Sequence, residues 1–146
     1  MASKKRVPRL NMAQMRYLDT IAKLYGAKVI FTLGPEEGSY DTHGTITMSI
    51  CGEFNRVISV FCHELGHHQN RLTGKFPLLH NQKTLSRLVE ILGSTDKAIE
   101  YGVKAEIYTE KVGKQICKDW FPEIKFIAFY KDNAYSRGFF AGWMGY

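Results

Sequence analysis

Residues 61 to 70 read FCHELGHHQN, and the two histidines in this stretch constrain the chain more than any other feature. His63 and His67 stand four residues apart with Glu64 directly after the first. On a helix that spacing puts both imidazoles on one face, one turn apart. The neighbouring residues specify a helix. Taking about 100° per residue with His63 at zero, Phe54, Val57, Ile58, Phe61 and Leu65 fall between roughly 120° and 220°, and His67 falls at about 40°. The apolar stripe faces a core and the two imidazoles look away from it. Core histidines would lie inside the stripe, and a merely solvated pair leaves the glutamate between them unexplained.

The spacing suits a divalent ion. Two imidazole nitrogens one turn apart can each approach a zinc ion at about 2.0 to 2.1 Å. Glu64, about 100° round the helix, is poorly placed to ligate the same ion. It can reach a water beside that ion, accept its proton and deliver it to a leaving group. A catalytic zinc takes three protein ligands and keeps one position open. The third ligand must come from another segment.

Elements around this helix follow from local patterning. Asn11 caps a predicted helix over about 12 to 25, with Met15, Leu18, Ile21, Ala22 and Tyr25 at helical spacing and Gly26 as the stop. AKVIFTL (27 to 33) reads as a strand by its β-branched and aromatic content, and GPEEGSYD after it as turn chemistry. HGTITMSI (43 to 50) alternates strictly, so Ile46, Met48 and Ile50 share one face of a half-buried strand. This strand is expected to pair with 27 to 33 as a hairpin and to present its backbone edge to the cleft, where an extended substrate can add as a further strand. Residues 81 to 92 form a short predicted helix closed by Gly93, and Ser94 opens a longer one to about Phe121, ended by Pro122. The chain shows no internal repeat or low-complexity tract, and residues 11 to 146 are read as one domain.

The longer helix carries the main candidate for the third ligand. With Glu106 at zero, Gly102, Thr109 and Gly113 lie beside it between about 300° and 340°. Each helix glycine costs about 1 kcal/mol relative to alanine, so two in register invite a packing explanation. A second helix can approach the histidine helix closely there, with Glu106 aimed at the ion. Glu110, Glu100 and His80 are the other candidates. Glu110 is one turn from Glu106, Glu100 about 120° away on the helix, and His80 follows His67 in LLHNQKT.

HELGH followed by a helix reading E-x-x-T-E-x-x-G resembles the gluzincin clan of HExxH zinc metallopeptidases, over roughly residues 27 to 121. The compact size and the order helix, hairpin, HExxH helix, glutamate helix are similar to minimal ImmA/IrrE-type gluzincins of bacteria and their phages. The resemblance implies an α+β, zincin-like fold with the active-site and glutamate helices under a small sheet. It implies Zn2+ held by His63, His67 and Glu106, with Glu64 as general base and Glu110 orienting a ligand histidine. Hydrolysis of peptide bonds in a protein or peptide substrate is the implied activity. Thr109 and Glu110 stand where alanine and aspartate are usual in that clan. His80 as ligand would resemble the SprT type, but the Gly-His-Gly setting of that type is missing.

Charge and cysteine usage bound the alternatives. The net charge of +6 arises entirely in residues 1 to 28, with seven Lys/Arg against one Asp; the remainder has thirteen of each sign. Lys4, Lys5, Arg6 and Arg9 form a basic arm over residues 1 to 10, read as a solvated tail. Contact of that arm with nucleic acid or an acidic partner is the competing reading, in which the chain is a non-enzymatic regulator. Cys51, Cys62 and Cys117 are odd in number and lack a CxxC spacing, so reduced thiols are expected. No stretch approaches the roughly 18 uninterrupted apolar residues of a membrane span, and MASKKRVPRL lacks the apolar segment of a signal peptide. A soluble, cytoplasmic protein is expected.

Three further residues are assigned by position. His68 is expected to be exposed or to support the metal ligands, and His43 to stand near the cleft mouth. In the aromatic tail, Tyr135 is the candidate donor to a developing oxyanion.

Overall fold

The computed structural model describes residues 10–34, 38–41, 43–78 and 85–128. Most of the basic arm, His80 and Tyr135 lie outside them. Among the described residues the architecture is α+β, with four helices and a three-stranded mixed sheet.

Helix α1 (Met12–Leu24) begins at Asn11, whose side chain accepts from the Gln14 amide at 2.8 Å while the Gln14 side chain accepts from the Asn11 amide at 2.8 Å. Two of the orphan amides of the first turn are thereby satisfied reciprocally. Strands β1 (Lys28–Thr32), β2 (Gly38–Tyr40) and β3 (Thr45–Ser49) follow, in the order β1-β3-β2. The expected hairpin between β1 and β3 is corrected here. Those strands run parallel, with Val29 opposite Ile46 and Phe31 opposite Met48, so the chain must cross over to the far side of β3 before returning. The hairpin is β2–β3, in which Gly38 faces Met48 and Tyr40 faces Ile46.

Its turn is built by Asp41 and Gly44. Asp41 Oδ1 accepts from the amides of His43 at 2.8 Å and Thr45 at 3.0 Å, and Gly44 takes φ 84°, a conformation that costs little without a Cβ. With neighbours on both sides, β3 has no free edge for a substrate. Among the described residues, β2 is the edge strand packed on α2.

Helix α2 (Phe54–Leu72) carries the histidines, and α3 (Leu85–Leu92) precedes α4 (Thr95–Trp120). Ser94 caps α4 by accepting from the Lys97 amide at 3.2 Å. The central element is α2, with β2 and β3 against it on one side and α4 on the other. Its stripe enters the core as read from periodicity: Ile58, Phe61 and Leu65 join Leu18, Ile21, Ile46 and Met48, all at most 2% exposed. Burial of each such side chain contributes about 1.5–3 kcal/mol. Leu10, at the boundary of the arm, is also buried in this core. Cys62 and Cys117 are buried free thiols and Cys51 is a partly buried one. Among the described residues no helix is long and apolar enough to cross a membrane.

Candidate metal centre

The crossing of α2 and α4 determines the site. A methyl built on Gly66 would stand 2.9 Å from the Thr109 carbonyl oxygen, and one on Gly113 would stand 3.1 Å from the His63 Cα and the Cys62 oxygen. The two backbones therefore touch without intervening side chains, and Gly102, Thr109 and Gly113 are all buried along the shared face. Close approach carries Glu106 onto the histidines. Asn70 Nδ2 donates to Thr109 Oγ1 at 2.8 Å, and that hydroxyl donates to the Ala105 carbonyl at 2.7 Å, a fully buried link that sets the height of α4 against α2.

Glu106 bridges both imidazoles. Its Oε2 lies 2.9 Å from His63 Nε2 and its Oε1 lies 3.1 Å from His67 Nε2. The three residues are buried, and each offers a ligand atom within 4.8 Å of the others. Glu110 Oε1 lies 3.5 Å from the other nitrogen of His63, Nδ1. Although Glu106 Oε2 is close to His63 and inaccessible to solvent, the contact lacks hydrogen-bond alignment. Two nitrogens and a carboxylate oxygen at this separation could hold a metal ion.

Electrostatics point the same way. Burial disfavours the His63 imidazolium, but Glu106 and Glu110 outweigh it and lift its pKa to about 10. His67 is raised against the same burial cost by Glu106. Burial would push Glu106 up, yet His67 and His63 hold its carboxyl well below the usual range. Glu64 is lifted by burial, tempered by His67 and His63. Protons hold the metal-free cluster together, and a cation can replace them.

The expected site residues are thus sorted by the fold. His63, His67 and Glu106 converge, Glu110 touches His63, and Glu64 is coupled to the cluster. Glu100 is exposed on α4 and is not among the residues that converge. His43 is exposed on the β2–β3 turn, where no described contact reaches the cluster. The exposed alternative for His68 is corrected. It is 1% exposed, with Nε2 2.8 Å from the Tyr25 carbonyl oxygen and Nδ1 2.6 Å from the Tyr40 hydroxyl. Its helical angle of about 140° falls within the arc of the apolar stripe, which was the signal for a satisfied, inward-facing histidine. Tyr40 and Asn70 also contact the ligand-bearing elements and carry no motif; only the two-residue alternation of Gly38 and Tyr40 hints that GSY is a strand.

The chain matches no protein-family model, no curated protein and no solved structure.

Proposed function

We propose that the chain is a zincin-like zinc metallopeptidase of the gluzincin kind that hydrolyses peptide bonds in a protein or peptide substrate. The observation that carries this reading is the buried convergence of His63, His67 and Glu106 with Glu64 beside them on α2.

His63, His67 and Glu106 would hold the ion. When bound there, zinc would supply Lewis acidity and make a water beside it a stronger acid. Glu64 accepts the proton of the attacking water and returns it to the departing amine. Its buried, upshifted carboxyl is suited to holding that proton between the two events. Glu110 Oε1, 3.5 Å from His63 Nδ1, is placed to orient that imidazole with Nε2 toward the ion. Among the described residues β2, above Glu64, is an edge strand; its outer edge would give an extended peptide a main-chain pairing surface, and main-chain pairing places few demands on side-chain identity.

The test is direct. Purified protein is expected to hold one zinc per chain and to cleave an unfolded protein substrate, with activity lost to a chelator and restored by zinc. The positive excess in residues 1 to 28 favours a second reading, a non-enzymatic regulator that retains this fold. Stoichiometric zinc without cleavage, together with salt-dependent retention on DNA, would select it.

A further inference from the structure

Strand β2 is three residues long, and alternation along it turns Gly38 and Tyr40 toward α2 and leaves Ser39 exposed. Gly38 sits directly on the helix. A methyl there would stand 2.5 Å from Val60 Cγ1 and 3.4 Å from Glu64 Cγ. At the other end, the Tyr40 ring lies nearly parallel to that of His67, with centroids 6.4 Å apart and planes 14° apart. The pair lies within the range of offset-stacked aromatic contacts.

The Tyr40 hydroxyl belongs to a chain of hydrogen bonds whose direction can be assigned. Arg71 Nη1 donates to it at 3.0 Å, since a guanidinium can only donate. His68 Nε2 lies 2.8 Å from the Tyr25 carbonyl oxygen, which can only accept, so Nε2 carries the proton. A neutral imidazole carries only that one proton. Nδ1 is then an acceptor, and the Tyr40 hydroxyl donates to it at 2.6 Å. Arg71, Tyr40, His68 and the Tyr25 carbonyl therefore form a one-directional relay from the end of α2, through β2, to the end of α1.

We propose that Tyr40 is a positioning residue for His67: latched by Arg71 and His68, its ring sets the plane in which His67 presents Nε2 to the metal. The inference rests on the metal-centre reading above. Tyr40 acts through His67 and not on the substrate, because its hydroxyl proton is committed to His68. The same latch keeps β2 seated over Glu64, with Gly38 as the bare contact that lets the strand lie flat.

The experiment is Co2+ titration of chelator-stripped protein, followed by the visible ligand-field spectrum, which reports coordination geometry without any need for turnover. Tyr40→Phe keeps the ring and deletes the latch; Tyr40→Ala deletes both; Ser39→Ala is the control on the outer face. Expected are losses of Co2+ affinity of roughly 10-fold for Tyr40→Phe, from loss of the two hydrogen bonds to Arg71 and His68 that hold the ring, and about 10 to 100-fold for Tyr40→Ala, as for other residues that orient a ligand. Both carry an altered band position or intensity, and Ser39→Ala matches wild type. Tyr40→Phe decides the matter if Tyr40→Ala fails to fold. Wild-type affinity and spectrum in Tyr40→Phe overturn the proposal, even where its thermal stability falls, because the latch would then be structural only. If the wild-type protein binds no Co2+, the metal-centre reading fails and this inference fails with it. If the wild type binds and the Tyr40 variants bind equally well, this inference alone fails.

Discussion

Gly66 of α2 and Gly113 of α4 meet where the two helices cross: a methyl on Gly66 would stand 3.3 Å from the Gly113 amide nitrogen and 2.9 Å from the Thr109 carbonyl oxygen. Alanine at 66 gains about 1 kcal/mol of helix propensity over glycine. The added methyl has only backbone to push against, and overpacking costs about 1–3 kcal/mol. Gly66→Ala is therefore expected to lower the urea midpoint and to weaken zinc binding together, by moving Glu106 off the histidines. Unchanged stability and zinc affinity would mean that the helices separate freely, and that their contact does not position the site.

Removal of a ligand differs from removal of its support. Glu106→Ala is expected to lose most bound zinc, while Glu110→Ala, which removes only the carboxylate 3.5 Å from His63 Nδ1, weakens affinity by roughly 10 to 100-fold. His80→Ala is expected to do neither. Equilibrium dialysis against a weak chelator measures all three. Full occupancy in Glu106→Ala would move the third ligand elsewhere and count against the gluzincin reading.

Glu64 is assigned to proton movement and not to holding the ion. Glu64→Gln is expected to retain zinc and fold while peptide cleavage falls by a factor on the order of 10² or more. Metal analysis and kinetics on the same preparation check it. Retained cleavage would remove Glu64 from the mechanism.

Metal-free protein is expected to show a narrow pH window of stability. The folded-state pKa of His63, about 10, lies above its ordinary 6.5, so its contribution is fully present below 6.5 and is lost as pH rises toward 10. His67 and Glu64, also raised, act in the same direction. Glu106 is lowered from its ordinary 4.5, so its contribution is present above 4.5 and is lost as pH falls. The urea midpoint in chelator is expected to peak between these values and decline on both sides. A midpoint rising from pH 7 to 9 would contradict the assignment.

Zinc must displace the proton that His63 carries in the metal-free state. Binding at pH 7 is therefore expected to release protons and to tighten as pH rises. Calorimetric titration in two buffers of different ionisation enthalpy counts them. Identical heats in both buffers would show that the histidines are already neutral.

Much of the site was legible because its first half is local. Helical period alone places His63 and His67 on one face of α2 with Glu64 between them, since side-chain direction on a helix follows from residue number. Caps at Asn11 and Ser94 were readable for the same reason: each bond spans only three residues. Periodicity on α4 also exposed the small residues around Glu106.

Where the chain must choose among distant partners, local pattern does not decide. Parallel pairing of β1 with β3 depends on the path that carries β2 to the far side, and nothing in the composition of either strand encodes that crossover. His68 has the same side chain as His63 and His67. Its helical angle turns it inward, but its partners Tyr25 and Tyr40, 43 and 28 residues away, are set by the tertiary structure. The sequence by itself determined a helix bearing two histidines and a glutamate on its free face. Which carboxylate completes that face, and which strand covers it, were decided by the tertiary structure, because a docked helix 39 positions downstream is held by backbone contacts at Gly66 and Gly113 that exist only after both helices have packed.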